Sequence, residues 1–137
     1  MDCESFDDPS IPDEAILWRR IPPEWVEFDD NLQPLRPQTR AFDDSRKPPP
    51  KGSPMSVDLA DEAIESGVTP EAYIAEYPGF GLVSFSAMLV RSLKLGIVRA
   101  PAEGKPFHAH VKGKKTGSVK NCLAESAEWV VVPHSTE

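Results

Sequence analysis

Short apolar runs, separated by turn-forming residues, define the elements in the first half of the chain. Residues 15–21 (AILWRRI) predict a strand because they are apolar and β-favouring except for two arginines, and a Pro-Pro pair ends the run. Residues 24–35 (EWVEFDDNLQPL) predict a short hairpin or a strand that enters a loop. Residues 36–54 are dense in Pro, Arg, Lys, Asp and Ser, which predicts a long Pro-rich loop.

Helical spacing and capping residues appear beyond residue 54. Residues 55–58 predict a strand that leads directly into a short helix. Residues 69–79 (TPEAYIAEYPG) predict a second short helix with Thr69 as its N-cap. In residues 84–96 (SFSAMLVRSLKLG) the alternating apolar positions would suit a strand, but the length and the caps favour a helix that begins at Ser84.

The last third of the chain predicts two strands, a helix and a final strand. GIVRAP (96–101) and PFHAHVKG (106–113) are short β-favouring runs joined by a turn, which fits a hairpin. TGSVKNCLAESAEW (116–129) predicts a helix, and WVVVP (129–133) predicts a last, fully buried strand.

The order of these elements predicts an α+β protein. We expect a single domain over residues 14–133, in which a small mixed β-sheet is packed by about three to four helices. Residues 1–13 contain five acidic residues and little to bury, so they predict a disordered acidic tail. Residues 134–137 predict a C-terminal tail.

Charge is distributed unevenly along the chain, which narrows the classes of partner. The net charge is −7, with 16 acidic and 7 basic residues in residues 1–68 and 6 and 8 in residues 69–137. This balance argues against general nucleic-acid binding, which depends on neutralising phosphates, but it leaves room for an anion site in the second half. The acidic first half would also suit an immunity or antitoxin-type protein that binds a basic partner.

The cysteines and the N-terminal residues indicate the cellular compartment of the protein. Cys3 and Cys122 form neither a disulfide framework nor a cysteine zinc site, which is typical of a reducing cytoplasm. The chain begins with no basic and apolar leader, and no apolar run reaches the roughly 18 residues of a membrane span. We therefore predict a cytoplasmic protein that does not bind membranes.

Two histidines alternate with apolar residues in PFHAHVKG. On a strand, His108 and His110 project from one face while the apolar residues point to the other. The pair offers two metal ligands, but zinc or iron needs at least a third, and none is close in sequence. We therefore predict no metal and no resident cofactor, and interpret the histidines as polar residues beside a pocket.

The segment GKKTGS (113–118) follows these histidines. It is not a phosphate-binding P-loop, because Gly113-Lys114 is followed by Lys115 rather than by Ser or Thr, and the position five before Gly113 is His108 rather than Gly. Thr116, Gly117 or Ser118 can cap the next helix. Its free amides, with Lys112, Lys114 and Lys115 alongside, would accept a phosphate or a carboxylate. An ordinary solvated helix cap is the alternative.

Arg19 and Arg20 interrupt the first apolar strand. Because neighbouring side chains on a strand point to opposite faces, one of the two lies against the interior or a cleft. A guanidinium there needs a carboxylate, a carbonyl or a ligand anion. Asp58 and Glu62 are candidate ion-pair partners. The inward arginine is therefore expected to make either a structural ion pair or a contact with a ligand.

Four stretches resemble, in order, elements of the RES-domain toxins, which are NAD-degrading enzymes with an ADP-ribosyltransferase-like fold. These stretches are LWRRI (17–21), TRAF (39–42), MSVDLADEAIE (55–65) and GIVRAP (96–101). The resemblance implies a pocket for NAD. Its residues would be Arg19 or Arg20, Arg40, Ser56, and Glu62 or Glu65.

The candidate binding site combines distant parts of the chain. We predict a pocket formed by Arg19, Arg20, Ser56, His108, His110, Lys114, Lys115, Thr116 and Ser118. The chain also resembles small bacterial proteins, so the predicted function is a bacterial ligand- or partner-binding module that takes a small anion or an acidic protein segment without turnover. The alternative is an NAD glycohydrolase or ADP-ribosyltransferase whose candidate catalytic residues are Arg20, Arg40, Ser56 and Glu62.

Overall fold

A β-sheet with helices on both sides forms the framework of the molecule. A computed structural model describes residues 7–31, 33–43, 54–101 and 106–133. The strands in these ranges are β1 (Ile16–Ile21), β2 (Val26–Phe28), β3 (Pro34–Pro37), β4 (Met55–Leu59), β5 (Gly81–Ser86), β6 (Gly96–Arg99), β7 (His108–Lys112) and β8 (Glu128–Val131). The helices are α1 (Ala60–Glu65), α2 (Pro70–Tyr73), α3 (Ala87–Ser92) and α4 (Gly117–Ser126), with short 3₁₀ helices at Pro23–Trp25 and Thr39–Phe42.

The main sheet, as far as the chain is described, has six strands in the order β6-β7-β4-β1-β5-β8. The predicted α+β class is confirmed, but the sheet is larger than the small mixed sheet expected, and each of its five pairings is antiparallel. Strand β1 lies between β4 and β5 and separates them in the sheet. Those two strands run parallel to each other, yet each is antiparallel to β1. Strands β2 and β3 pair separately, as the hairpin interpretation expected.

The main core lies on one face of this sheet. Its strand residues include Leu17, Ile21 and Val83, each fully buried, and helices α3 and α4 add further apolar side chains. The 3₁₀ helix Thr39–Phe42 also contributes, because Ala41 and Phe42 are fully buried. The prediction of a structureless loop from residue 36 is therefore wrong for residues 36–43, and residues 44–53 lie outside the described ranges.

Side-chain caps mark where helices α2 and α3 begin. Thr69 accepts a hydrogen bond from the amide of Ala72 (3.1 Å), as predicted for α2. Ser86 accepts from the amide of Leu89 (3.1 Å), so α3 begins at Ala87 rather than at Ser84. The correction has a tertiary cause, because all six residues of β5 pair with β1 and this pairing holds residues 84–86 extended.

The two edges of the sheet differ in what covers them. At one edge β8 pairs, among the described strands, only with β5, and its residues alternate between exposed and half-buried. The prediction that the WVVVP segment is a fully buried strand is therefore wrong, because an edge strand has only one neighbour.

At the other edge, residues 7–13 lie along β6. The amide of Asp8 donates to the carbonyl of Ile97 (2.7 Å), and the amide of Ile97 donates to the Asp7 carboxylate (2.9 Å). Arg91 of α3 binds Asp7 (3.1 Å) and Asp13 (2.7 Å). These residues were expected to belong to a disordered tail, but their backbone and side chains dock on the domain, and residues 1–6 lie outside the described ranges.

None of the helices in the described ranges is long and apolar enough to cross a membrane.

Candidate functional site

The face of the sheet opposite the main core carries polar and aromatic side chains. Because side chains alternate along a strand, Arg20 of β1, Asp58 of β4 and His108 of β7 all project from this face. The register places Asp58 beside His108 across the β4–β7 pair. Residues 73–80, which begin at the end of α2, bring Tyr73 and Tyr77 over these strands.

Two adjoining cavities open on this face, with volumes of about 250 Å³ and 220 Å³. Five residues line both of them: Arg20, Asp58, Tyr73, Tyr77 and His108. The first cavity is also lined by Val68, Glu76, Pro106 and Phe107. The second is also lined by Trp18, Arg19, Pro22, Trp25, Ser56 and Phe80. Folding thus brings four of the sequence-predicted site residues, Arg19, Arg20, Ser56 and His108, around one hollow.

Arg20 is held by the two tyrosines. Its guanidinium carbon lies 4.2 Å from the ring centre of Tyr77 and 5.7 Å from that of Tyr73. One of its terminal nitrogens is 3.4 Å from the Tyr73 hydroxyl, which is its one hydrogen bond within the described residues. A guanidinium has five N–H donors, so Arg20 retains donors for a ligand anion.

Asp58 is a buried carboxylate in this site. It accepts a hydrogen bond from the Tyr73 hydroxyl, and its Oδ1 lies 3.8 Å from Nδ1 of His108. Burial would raise the pKa of Asp58, but the contacts with His108 and Tyr73 and the charge of Arg20 outweigh this effect and lower it. Burial and the Asp58 charge raise the pKa of Tyr73. The pair is therefore an ionised carboxylate and a neutral phenol at pH 7.

The two histidines project from the same face, as their alternation predicted. Their ring centres are 5.2 Å apart and nearly perpendicular, and His110 lies beside Ser56 across the β4–β7 pair. Burial, His108 and Lys112 lower the pKa of His110, so its imidazole is neutral at pH 7. Among the described residues, His110 does not line either cavity. The described ranges contain no group of three His, Cys, Asp or Glu side chains placed to hold a metal ion.

Arg19 points to the opposite side of β1 and ties neighbouring segments together. Its Nε donates to the carbonyl of Ala41 (2.6 Å), and its guanidinium also donates to the carbonyl of Ser56. Backbone carbonyls thus supply two of its contacts. Of the two carboxylates considered as arginine partners, Glu62 binds Arg99 (2.7 Å), whereas Asp58 lies in the site with Arg20.

The lysine-rich segment does not reach the cavities. Lys115 donates to the carbonyls of Val111 (2.7 Å) and Gly113 (3.0 Å), which closes the turn after β7. Thr116 accepts from the amide of Val119 (3.2 Å) and caps α4, a helix that packs on the core face of the sheet. Lys114 and Ser118 are exposed. The part of the predicted pocket that lay between Lys114 and Ser118 is therefore separate from Arg20.

The residues implied by the RES-domain resemblance are only partly brought together. Arg20 and Ser56 line the second cavity. The guanidinium of Arg40 is 5.9 Å from the ring centre of Trp25, another lining residue, and it donates to the carbonyl of Glu24. Glu62, bound to Arg99, is absent from the described lining of both cavities.

Sequence reasoning missed the aromatic part of the site. Tyr73 and Tyr77 are spaced four residues apart in TPEAYIAEYPG, a spacing that puts two side chains on one side of a helical turn. Asp58, noted only as an ion-pair partner, is a lone charge in an apolar strand. Both signals were present in the sequence, whereas no local pattern linked Trp25 and Phe80 to the same cavity.

Comparisons of the chain with protein-family models, with curated proteins and with solved structures found no match.

Proposed function

We propose that this protein is a binding module that holds a small anionic ligand in the second cavity, with the Arg20 guanidinium as the main anion-binding group. The supporting observation is the position of Arg20. It lines both cavities, it is held in place by the Tyr73 and Tyr77 rings, and it retains N–H donors. A guanidinium fixed in this way binds a carboxylate or phosphate with little loss of side-chain entropy.

Polar groups in the second cavity favour the same class of ligand. Its lining includes the Arg20 guanidinium and one described carboxylate, Asp58, which already accepts a hydrogen bond from Tyr73. Ser56 adds an exposed hydroxyl that can donate to an anion. A partly enclosed site with aromatic walls strengthens the attraction between an anion and the guanidinium, because less water screens it.

Isothermal titration calorimetry with 4-methylbenzoate and with inorganic phosphate tests this proposal. We expect saturable binding of at least one anion, and Arg20→Gln should weaken it about ten-fold or more, since hydrogen bonds to a charged group are lost. Lys114→Gln removes an equal charge from the exposed segment before α4 and should leave binding unchanged. Ser56→Ala, at an exposed position, should weaken binding without affecting folding.

Two outcomes would contradict the proposal. One is the absence of binding by either anion to the folded wild-type protein. The other is a loss of binding in Lys114→Gln that equals the loss in Arg20→Gln, because the anion would then lie at the cap of α4. Near-ultraviolet circular dichroism of Arg20→Gln separates a lost contact from a lost fold.

A second candidate function is NAD cleavage, as the RES-domain resemblance implies. The observation that favours it is the shared position of Arg20 and Ser56 in one cavity. The ion pair between Glu62 and Arg99 favours binding without turnover instead, since the helical glutamate of that resemblance is engaged elsewhere. Release of nicotinamide from NAD by the wild-type protein, lost in Glu62→Ala, would reverse this preference.

A further inference from the structure

The two cavities differ in their carboxylates, and this difference bears on what the ligand is. Among described lining residues, the first cavity has one cation, Arg20, and two carboxylates, Asp58 and Glu76. The second shares Arg20 and Asp58 with the first, and its further arginine, Arg19, donates to the backbone carbonyls of Ala41 and Ser56. Glu76 therefore gives the first cavity a carboxylate that the described lining of the second lacks.

Glu76 is available to a ligand. It is exposed, it lies next to Tyr77 in the chain, and within the described ranges it takes part in no hydrogen bond or ion pair. Asp58, in contrast, already accepts from Tyr73. An anion entering the first cavity would meet both carboxylates, so an anionic group belongs on the other side of Arg20.

The size of the cavities limits what each can hold. Volumes of about 250 Å³ and 220 Å³ fall below the roughly 300–1,000 Å³ of sites that enclose drug-sized molecules. Each cavity therefore accommodates a single ring or a single charged group. Tyr73 and Tyr77 line both, and a flat ring that crosses from one cavity to the other would pack against them.

We infer that the ligand is a small zwitterion built on a planar ring, with its anionic group on Arg20 in the second cavity and an amine beside Glu76 in the first. This inference rests on the proposed anion-binding function. It adds that the ligand carries a positive group at a defined place, and that Glu76 is the carboxylate that binds this group.

Three compounds of the same shape test the inference by calorimetry on the full chain. They are 4-(aminomethyl)benzoate, which carries both charges, 4-methylbenzoate, which carries only the anion, and 4-methylbenzylamine, which carries only the cation. We expect the zwitterion to bind about five-fold more tightly than 4-methylbenzoate, the size of a partly exposed ion pair. The amine alone should bind most weakly.

A matched pair of variants assigns the preference to Glu76. Glu76→Gln should bring the zwitterion to the affinity of 4-methylbenzoate and leave that anion's own affinity the same or slightly higher. Glu65→Gln removes an equal charge from an exposed position on α1 and should preserve the five-fold difference.

The outcomes separate this inference from the proposal on which it rests. If 4-methylbenzoate binds through Arg20 as tightly as the zwitterion does, the inference is wrong and the anion-binding function stands. If the difference persists in Glu76→Gln, the amine lies elsewhere and the inference is also wrong. If neither compound binds the folded protein, both are overturned.

Discussion

The two faces of the main sheet are made by the same strands but have different properties. On the core face, Leu17 and Ile21 of β1 and Val57 of β4 are almost completely buried and belong to one apolar cluster. On the other face the same strands present Arg20 and Asp58, and the segment from α2 to β5 covers them incompletely. The comparison shows how strand alternation lets one face stabilise the fold while the other holds charged groups beside open space.

The largest expected effect tests whether stability resides on the core face. Phe42→Ala should lower the free energy of unfolding by about 3–5 kcal/mol, because Phe42 is fully buried and packs edge-on against Phe85 at 6.1 Å between ring centres. Urea denaturation measures the change. Ser56→Ala on the other face should stay within about 0.5 kcal/mol, and a comparable loss there would contradict the division between the two faces.

A smaller effect concerns the buried carboxylate of the open face. The pKa of Asp58 is lower in the folded state than its ordinary value of 3.8, so its contribution to stability is present above pH 3.8 and is lost as the pH falls through the lower value. Asp58→Asn should cost about 1 kcal/mol at pH 7, as a hydrogen bond to a charged acceptor becomes one to a neutral acceptor.

The measurement is the free energy of unfolding from pH 7 to pH 2 for the wild-type protein and for Asp58→Asn. The wild-type curve should fall more steeply than the curve of the variant at the acidic end. Asp8, whose pKa is also lowered, contributes equally to both, so the difference isolates Asp58. Parallel curves would show that the carboxylate is no better stabilised in the folded protein than in the unfolded chain.

The smallest effect concerns the titration of His110. Because the pKa of His110 lies below its ordinary value of 6.5, the folded state binds a proton less readily than the unfolded chain, and stability falls as the pH drops below 6.5. In a proton NMR titration the His110 ring resonance should shift at a pH below 6.5. Lys112→Gln should move that midpoint upward, and an unmoved midpoint would remove Lys112 as a cause.

Much of the fold could be predicted because its signals are local. The Pro22-Pro23 pair ends β1, and Thr69 begins α2, at the positions that the sequence indicated. The start of α3 could not be predicted, since it is set by the pairing of β5 with β1. The burial of Phe42 could not be predicted either, since it depends on packing against Phe85. In both cases tertiary contacts override the conformational preference of the local sequence.

The candidate site was predictable to a similar extent. Arginine in an apolar strand and alternating histidines are unusual enough to notice, and Arg20 and His108 do line a common hollow. Thr116 was included in the predicted pocket because it can cap a helix. That helix, α4, packs on the core face of the sheet, away from the cavities. Tyr77 follows a helix of a single turn, and only the folded chain shows what such a turn covers.

The central position of β1 has a consequence for how the chain reaches its native state. Among the described strands this one is synthesised first, yet its neighbours β4 and β5 begin only at Met55 and Gly81. Its backbone must wait for partners that are distant in sequence, and such non-local pairing slows folding. During synthesis Leu17, Trp18 and Ile21 therefore lack their native strand partners, and apolar side chains on an unpaired strand favour aggregation.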